Sequence, residues 1–454
     1  MLIIKDEPMN LEELLSIRQM TCKVTPDGDG QEIVLCGFVT NIRNVGKNLK
    51  FIILEDRDGD VQLIAKRGEI EENYLELADK ITSQSVICVK GIITKSEKSK
   101  RGVEVKIQEF QILSRSEPAL PSDISGDTHP DLSTRLDWRH LDLRNKRNQT
   151  IFMISSDFLK YSREFFEKEG LIEINTSKLI GIPSEGGAEV FEVKYFDKKA
   201  FLAQSPQLYK QMAISSGFEK VYEIAPVFRA EKSFTARHVT EFISLDVEVA
   251  YWPSLSDLID FQESMLVYAL TKLKEKWNDN VKELFDVEID IPPQPIPRIT
   301  MDQAYEILKE KGLELEKGDD IGTQGEKLLG EVALEKYNSD YLFVTHYYFT
   351  QRPFYHMKPE DNTELTLSFD LLYKGAETTT GALREHNYET LVMQAKEKEL
   401  EIEPLAFYLN FFKYGCPPHG GFGFGPARLI MKLLNLGNIR EAIMLPRDTH
   451  RLHP

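Results

Sequence analysis

The sequence predicts an α+β protein with a small N-terminal β-barrel, followed by a larger domain built on an antiparallel sheet flanked by helices. Short alternating apolar segments, separated by turns rich in Gly and Asp, fill residues 32–115, which is typical of a small barrel. Beyond residue 149, stretches of helical apolar spacing are interleaved with strand-like segments. The 454 residues are enough for two or three domains with a large core.

The barrel prediction depends on five strand-like segments and one helix-like insert at residues 69–81. Five short strands with a single helix fit a Greek-key barrel of the OB type. Prolines and polar residues follow from residue 116, which indicates a hinge. The five segments read IVLCGFV, LKFIILED, DVQLIAK, SVICVKGIIT and VEVKIQEFQIL.

The composition is that of an ordinary globular protein, with 41% hydrophobic and 28% charged residues. No run of about 18 apolar residues occurs, so no membrane span is predicted, and the first ten residues are unlike a signal peptide. The four cysteines form no CxxC pair, and three lie in apolar segments. This pattern predicts buried thiols in a reducing cytoplasm and no zinc site.

The formal net charge of −17 is unusual for a protein that binds nucleic acid. Its distribution is uneven, because the first 115 residues carry only −2 and the remainder −15. Residues 90–106 hold six basic and two acidic residues. Such a strip can hold a phosphate backbone with salt-sensitive affinity. A solvated lysine-rich hairpin loop is the alternative.

A charged stretch at residues 228–248, FRAEKSFTARHVTEFISLDVE, predicts a hairpin. The flanking apolar residues favour strands at 221–228 and 242–250, and the polar residues 232–237 favour a connecting loop. A surface hairpin held together by salt bridges is the alternative interpretation.

The side chains of this hairpin suit a nucleotide. Arg229 can clamp a phosphate or carboxylate with its planar guanidinium. Glu231 and His238 can orient the rest of a nucleotide, and Phe242 offers a flat face for a base.

A second stretch near the C-terminus begins GGFGFGPARLIMKLL at residue 420. Alternating glycines predict a strand on which a ligand lies against bare backbone. A helix pattern starts near Pro426, so Arg428 falls in the first turn, where free N–H groups and the helix dipole favour anions.

The two stretches together, about 190 residues apart, resemble motifs 2 and 3 of the class II aminoacyl-tRNA synthetases, and more narrowly the aspartyl/asparaginyl subgroup. The ending RDTHRLHP is similar to the aspartyl members of archaeal type. The resemblance covers nearly the whole chain. It implies an anticodon-binding domain at residues 1–115, a hinge at 116–148, and a catalytic domain at 149–454 with an insertion near 252–345. Within that insertion the sequence pattern predicts a surface helix from Leu255 to Trp277.

The resemblance implies ATP as cosubstrate, with Arg229, Arg428 and Glu231 in catalytic roles. Phe242 and Arg428 would sandwich the adenine. Glu377 and Thr380 would hold Mg²⁺ as hard oxygen ligands, with Asp370 contributing through water. The full set implied for ATP is Arg229, Glu231, His238, Phe242, Glu377, Gly425 and Arg428.

The resemblance also implies an amino-acid pocket. Lys210 would face the side-chain carboxylate of aspartate, with Arg384 opposite it, and the pair of Lys210 with Asp246 argues for aspartate over asparagine. The full set is Glu185, Gln207, Lys210, Asp246, Thr380 and Arg384.

In the barrel, the resemblance implies that Phe51 stacks on an anticodon base. Gln62 and Glu104 would bond base edges, and Arg43 would meet phosphate. Phe51 as a core strand residue and Glu104 as the polar face of an alternating strand are the alternatives.

Several positions depart from the family pattern, among them Ser177, Leu383, Pro426 and Ala427. Ser177 lies in the helix–strand pair similar to motif 1, which implies a homodimer. A proline at the start of a helix is acceptable, because its missing N–H would be unbonded there anyway.

The function implied is the ATP-dependent ligation of L-aspartate to tRNA through an aspartyl-adenylate. The sequence leaves open whether tRNA-Asn is charged as well as tRNA-Asp. The alternatives are an asparaginyl enzyme, a paralogue that adenylates an amino acid for another acceptor, and a non-catalytic tRNA-binding protein.

Overall fold

The computed structural model describes residues 10–123, 130–183 and 189–453, which form two compact units. The first unit extends to Pro130 and the second begins at Asp131. Each unit has its own hydrophobic core. The predicted α+β class is confirmed, since a five-stranded barrel precedes a domain with a largely antiparallel sheet.

The first unit is a closed barrel with strand order β1-β2-β3-β5-β4. All its strand pairs are antiparallel except β3 with β5, and the predicted helical insert lies between β3 and β4. Its elements are α1 (Leu11–Ser16), β1 (Glu32–Val45), β2 (Leu49–Asp56), β3 (Gly59–Lys66), α2 (Glu72–Ala78), β4 (Val86–Lys95) and β5 (Val103–Ser114).

The barrel buries two of its cysteines side by side. Cys36 on β1 lies directly opposite Cys88 on β4, within a small apolar cluster that includes Leu14 of α1. Cys416 is half-buried and Cys22 is exposed, so two thiols are buried rather than the three expected. All four are free thiols.

The second unit contains ten α-helices and eleven strands within its described residues. The helices are α3 (Leu132–Asp137), α4 (Arg139–Asp142), α5 (Lys146–Lys168), α6 (Gln207–Ser215), α7 (Leu255–Phe285), α8 (Met301–Glu310), α9 (Gly322–Tyr337), α10 (Tyr388–Glu397), α11 (Ile402–Lys413) and α12 (Pro426–Leu433). The strands are β6 (Ile172–Glu173), β7 (Leu179–Ile180), β8 (Glu192–Tyr195), β9 (Lys198–Leu202), β10 (Lys220–Phe228), β11 (Glu241–Ala250), β12 (Arg298–Thr300), β13 (Tyr341–Thr345), β14 (Ser368–Tyr373), β15 (Glu377–Arg384) and β16 (His419–Phe424).

Eight of these strands form one sheet in the order β12-β13-β14-β15-β16-β11-β10-β6. The interior pairs are antiparallel, and only the two edge strands pair in parallel with their neighbours. The glycine-rich β16 therefore lies between β15 and β11 at the centre of the sheet. A small sheet of order β7-β9-β8 lies apart.

The central sheet has one apolar face and one polar face, because side chains alternate along each strand. Leu245, Val247 and Phe422 belong to the main core cluster, which is completed by α5, α7 and α12. Asp246 and Glu248, at the intervening positions of β11, point to the opposite face. Helix α6 packs on that polar face, since Lys210 reaches Asp246.

Helix α7 corrects an expectation about the insertion region. A surface helix ending near Trp277 was expected, but α7 continues to Phe285 and buries twelve residues, including Val281 and Phe285. It ends at Asp286, whose left-handed backbone closes the last turn. The helix is part of the core because one face stays apolar for its whole length.

None of the helices in the described part of the chain is both long enough and apolar enough to cross a membrane.

We expect Gly421→Ala to destabilise the protein by about 2–3 kcal/mol, because β16 leaves no room for a side chain there. A Cβ at this position would lie 2.0 Å from the carbonyl oxygen of Val247 and 2.4 Å from Oε2 of Glu248. Urea unfolding of the variant measures the loss. Gly437→Ala is the control, since a Cβ there meets nothing within 4 Å. Equal stability of the two variants would contradict this packing.

Candidate active site

The predicted hairpin is formed by β10 and β11, which pair in register from Lys220 opposite Val249 to Phe228 opposite Glu241. Arg229 follows directly, and its backbone N–H donates to the carbonyl of Thr240 at 2.9 Å. This bond extends the ladder by one step and fixes where the Arg229 side chain leaves the hairpin.

The hairpin loop is anchored by the C-terminal segment. Arg440 donates to the carbonyl oxygen of Thr235 at 2.9 Å and pairs with Asp448 at 2.5 Å. The guanidinium of Arg440 lies 4.4 Å from the ring centre of Phe234, and Thr240 donates to the carbonyl of Arg447. The loop is therefore held at its tip and at its base.

The predicted glycine strand is β16, and α12 starts directly after it with Pro426 in its first turn. Nη1 of Arg428 donates to the backbone oxygen of Glu377 at 3.0 Å and lies 3.4 Å from Oε1 of Glu377. The start of α12 and the start of β15 are thus joined through one arginine.

A cleft of about 330 Å³ lies on the polar face of the sheet. Its lining combines groups from the hairpin, from β15, from β16 and from the start of α12. Eleven predicted site residues line it, which are Gln207, Arg229, Glu231, His238, Phe242, Asp246, Glu377, Thr380, Arg384, Gly425 and Arg428.

The strand register orders these residues along the cleft. Asp246, Gly423 and Thr380 lie side by side on three neighbouring strands. Glu377 begins β15 and Arg384 ends it, seven residues apart, so the two lie roughly 20 Å apart along the strand. The cleft therefore has a Glu377 end, which includes Phe242 and Gly425, and an Arg384 end.

His238, at the Glu377 end, is a neutral donor at pH 7. Burial is the main cause that lowers the pKa of its imidazole, and the nearby positive charges of Arg428 and Arg237 add to the effect. Its Nδ1 lies 2.8 Å from the hydroxyl of Thr235. His238 can therefore donate a hydrogen bond to an anion without bringing a charge.

Glu231 is kept ionised. Hydrogen bonds from Ser233 lower the pKa of the Glu231 carboxyl, and the backbone N–H of Ser233 donates to it at 2.9 Å. The guanidinium of Arg229 lies over the ring of Phe242, 5.4 Å from the ring centre. The structure thus brings Arg229 to Phe242, while Arg428 contacts Glu377.

The predicted magnesium ligands Glu377 and Thr380 both line the cleft. Asp370, expected to assist through water, instead pairs with Arg352 at 2.8 Å. Within the described ranges no group of three or more His, Cys, Asp or Glu side chains could hold a metal ion. The donors present, one carboxylate and one hydroxyl, still suit Mg²⁺ that takes its other ligands from nucleotide phosphates and water.

Two buried cations and two buried carboxylates lie next to one another at the floor of the cleft. Nζ of Lys210 lies 3.0 Å from Oδ1 of Asp246 and 3.3 Å from Oε2 of Glu248. It also donates to the backbone oxygens of Val247 and Phe422. Burial raises the pKa of Glu248, but the charges of Arg384 and Lys210 outweigh this effect and keep it low.

Lys210 is only 2% exposed and is not among the residues that line the cleft. In this structure the hydrogen bonds and ion pairs of Lys210 are all made to residues of the wall of the cleft. A direct contact with a substrate carboxylate, as the sequence suggested, would require one of these bonds to break. Asp246, which it fixes, does line the cleft.

Arg384 lines the cleft, but most of its N–H groups already have hydrogen-bond partners within the protein. Its guanidinium donates to Glu248 at 3.0 Å, to Gln207 at 3.2 Å and to the backbone of Gly421 at 3.1 Å. Its Nη1 lies 2.9 Å from Nε2 of His356. A bidentate contact with a ligand carboxylate would have to displace one of these partners.

Sequence reasoning missed His356 and Arg352, which both line the cleft. Since an arginine can only donate, Nε2 of His356 accepts from Arg384 and the ring is neutral. Burial first, and then the charge of Arg384, lowers the pKa of His356. The segment RPFYH gave no signal by spacing, because its role depends on lying opposite Arg384 across the fold.

Glu185 lies outside the described residues. Leu383, a departure from the family pattern, packs in the main core on the face opposite the cleft. Of the other departures, Ala427 lines the cleft.

In the barrel, the four residues predicted to read an anticodon lie on its outer surface. Arg43 pairs with Phe51 across β1 and β2, and its guanidinium lies 4.7 Å from the Phe51 ring centre. Phe51 is half-exposed, while its neighbour Ile52 points into the core. Nε2 of Gln62 donates to Glu104 at 3.0 Å. The core alternative for Phe51 is therefore wrong.

The basic strip at residues 90–106 is partly structural. Arg101 donates to the backbone oxygens of Thr21, Val24 and Asp60. Lys90 lies 3.2 Å from Glu32. The strip therefore offers fewer free cations than its composition suggested.

Comparison with known proteins identifies the family. Residues 131–449 match the family of class II tRNA synthetases (D, K and N), and residues 33–113 match the OB-fold nucleic acid binding domain. The chain belongs to the class II tRNA synthetases of this D, K and N group. The family suggested by motifs 2 and 3 is confirmed.

The relatives are more specific. The chain is 44% identical to the aspartate–tRNA(Asp) ligase of Pyrococcus furiosus over 95% of this chain and 98% of the relative. It is 44% identical to the aspartate–tRNA(Asp/Asn) ligase of Aeropyrum pernix, covering 94% and 96%. The asparaginyl-tRNA synthetase of Pyrococcus horikoshii complexed with asparaginyl-adenylate superposes with a TM-score of 0.89 at 33% identity, covering 96% and 99%.

His419 supports the Arg384 end from below. Its Nε2 lies 2.9 Å from Nε2 of Gln211, which can only donate, so Nδ1 carries the proton and donates to the carbonyl of Pro417 at 2.8 Å. Burial lowers the pKa of His419 to about 4.

We predict that His419 makes the stability of the protein depend on pH. The unfolded imidazole has a pKa near 6.5, so unfolding takes up a proton between that pH and about 4. Stability present above pH 6.5 is lost as the pH falls, by about 2 kcal/mol between pH 7.5 and pH 5. His419→Gln, which does not titrate, should lose about 2 kcal/mol less over this interval. Urea unfolding at both pH values tests this, and identical pH dependence would contradict it.

Proposed function

We propose that this protein is an aspartate–tRNA ligase, which activates L-aspartate with ATP and transfers it to tRNA. One observation carries the proposal: a single cleft is lined by Arg428 and His238 at one end and by Arg384 at the other. Its relatives include enzymes named for aspartate, and its family uses ATP.

In the first step, an oxygen of the aspartate α-carboxylate attacks the α-phosphorus of ATP. The bond to the bridging oxygen breaks, pyrophosphate leaves and aspartyl-adenylate forms. Such a displacement depends on alignment and on neutralising charge rather than on a covalent enzyme intermediate. We assign the α-phosphate to Arg229 and the γ-phosphate to Arg428, with His238 as a further donor.

We assign the adenine to the space beside Phe242, with Glu231 and Gly425 around it. The ring supplies a stacking surface, and Arg428 would form the other side of the sandwich. Mg²⁺ bound with the nucleotide would neutralise phosphate charge. Glu377 and Thr380 are the side chains we assign to it, with phosphates and water as its other ligands.

We assign aspartate to the Arg384 end, with Gln207, Asp246 and Thr380 around it. Arg384 favours a carboxylate over the amide of asparagine, because the amide would bring N–H groups to a group that only donates. Lys210 supports this choice by fixing Asp246. Glu185 is assigned to the substrate ammonium by family resemblance alone.

In the second step, the terminal ribose hydroxyl of tRNA attacks the aspartyl carbonyl, and AMP leaves. We propose that Arg43, Phe51, Gln62 and Glu104 read the anticodon. A half-exposed ring beside a guanidinium suits an unstacked base. We propose an anticodon-binding domain at residues 1–115 and a catalytic domain at 149–454, with a hinge within 116–148. The second compact unit already begins at Asp131, so we assign the hinge to the residues before it.

We also propose a homodimer. The edge strand β6 and its surroundings expose apolar side chains, and among them Ile172 is 48%, Phe218 48% and Tyr251 61% exposed. Exposed apolar groups next to an unpaired strand edge favour association. A cytoplasmic location is supported by the four free thiols.

Aminoacylation tests the proposed function. With labelled aspartate and ATP–Mg²⁺, we expect label on purified tRNA-Asp, while labelled asparagine gives none. Label on tRNA-Asn as well would make the enzyme non-discriminating, and the relatives include both kinds. Charging with asparagine instead would support the asparaginyl alternative. Pyrophosphate exchange without charging of either tRNA would support the paralogue.

We predict that Arg229→Ala lowers aspartate-dependent pyrophosphate exchange by at least about 10²–10³-fold, since it removes charge at the reacting phosphorus. Arg57→Ala is the control, because that side chain is 70% exposed in the barrel. Near-normal exchange by Arg229→Ala would show that the assignment of Arg229 is wrong.

A further inference from the structure

Helix α9, in the region predicted to be an insertion, places a buried carboxylate beside the cleft. Oε2 of Glu326 accepts from Nη1 of Arg237 at 2.7 Å and from the backbone N–H of Glu377 at 3.0 Å. Arg237 belongs to the hairpin loop, and both Arg237 and Glu377 line the cleft. One oxygen thus connects the loop to the start of β15.

The helix reaches this position through a contact between two glycines. A Cβ on Gly330 would lie 2.6 Å from Cα of Gly375, in the turn between β14 and β15. Gly375 has φ +66°, and a Cβ there would lie 2.9 Å from Cα of Lys327. Because backbone touches backbone, α9 has little freedom to shift relative to β15.

The buried carboxylate of Glu326 needs its hydrogen-bond partners. Burial, followed by the charge of Glu377, raises the pKa of Glu326, and the charge of Arg237 opposes this rise. A buried carboxylate is costly unless it is paired and hydrogen-bonded. Glu326 therefore restrains Arg237 at the cleft, and Arg428 holds Glu377 from its other side.

We propose that Glu326 is a positioning residue of the nucleotide site. It orients the Arg237 guanidinium toward the ATP phosphates and fixes the backbone from which the Glu377 side chain extends. The insertion region thus takes part in nucleotide binding through α9. The inference rests on the proposed function, since it takes ATP–Mg²⁺ as the ligand at the Glu377 end.

The test compares variants of α9 in the full-length protein. Glu326→Gln keeps an oxygen for the Glu377 N–H but loses the charge that holds Arg237, and Glu326→Ala loses both. Glu335→Gln is the matched control on the same helix, where Glu335 pairs with Lys311 at 2.8 Å on the surface. The readouts are the dissociation constant of ATP–Mg²⁺ by calorimetry, and the KM values for ATP and aspartate in pyrophosphate exchange.

We expect Glu326→Gln to weaken ATP–Mg²⁺ binding and raise the KM for ATP about tenfold, the effect of one charge-assisted hydrogen bond. Glu326→Ala should weaken binding further. The KM for aspartate should change less than about twofold, and Glu335→Gln should match the wild type. Unchanged ATP binding, or equal rises in both KM values, would overturn the inference.

A further variant and a comparison of two measurements settle the remaining outcomes of the test. If Glu326→Gln does not fold, Arg237→Met removes the partner without altering α9. The same selective loss of ATP binding would show that Arg237 acts at the nucleotide site, as the inference requires, and normal binding overturns it. Calorimetry needs no aspartate, so a wild type that binds ATP–Mg²⁺ without aspartate-dependent exchange would refute the proposed function alone. Normal exchange with unaltered ATP binding by Glu326→Gln would refute this inference alone.

Discussion

The catalytic unit depends on a compensated set of buried charges beneath the cleft. Asp246 and Glu248 lie at alternate positions of one central strand, and two cations, Lys210 and Arg384, neutralise them. Any one of these charges buried alone would cost several kcal/mol, so each requires the others. The cations come from α6 and β15, and the glycine at position 421 lets the Glu248 carboxylate lie against bare backbone. The pairing therefore constrains the position of α6, the end of β15 and the residue at position 421.

The same arrangement explains how a protein of net charge −17 can offer sites to anions. Its useful cations are not collected into a basic surface. Arg229 and Arg428 stand separately along the polar face of a sheet, each fixed by local contacts. In the barrel, part of the basic strip at residues 90–106 has a structural role, because Arg101 donates hydrogen bonds to backbone carbonyls. The total charge of the chain therefore says little about either site.

The sequence predicted what is local. The hairpin of β10 and β11 and the glycine strand β16 could be predicted because alternation, glycine spacing and a helix start are properties of short segments. The barrel followed from the same reasoning, and Phe51 lies on its outer face as the family resemblance required. Some candidate residues of the cleft, such as Arg229 and Arg428, followed from their own side chains and positions, and the others came from the resemblance. Eleven of the candidates line one cavity.

What could not be predicted depends on partners distant in the chain. His356 matters because it meets Arg384, and Glu326 because it meets Arg237, 89 residues earlier. Lys210 was predicted to face the substrate, but the backbone oxygens that hold it in the wall come from two different strands. The end of α7 was misplaced because its last turns are fixed by burial of Val281 and Phe285, not by a local stop signal.

The anchoring of the hairpin loop by Arg440 has a consequence for how the protein is made. The carbonyl of Thr235 accepts a hydrogen bond from a guanidinium that lies 205 residues further along the chain. At a synthesis rate of roughly 5–20 residues per second, the loop leaves the ribosome about 10–40 s before its anchor exists. The barrel, which is complete within the first unit, can fold during that interval. The Glu377 end of the cleft is therefore among the last parts of the protein to take shape.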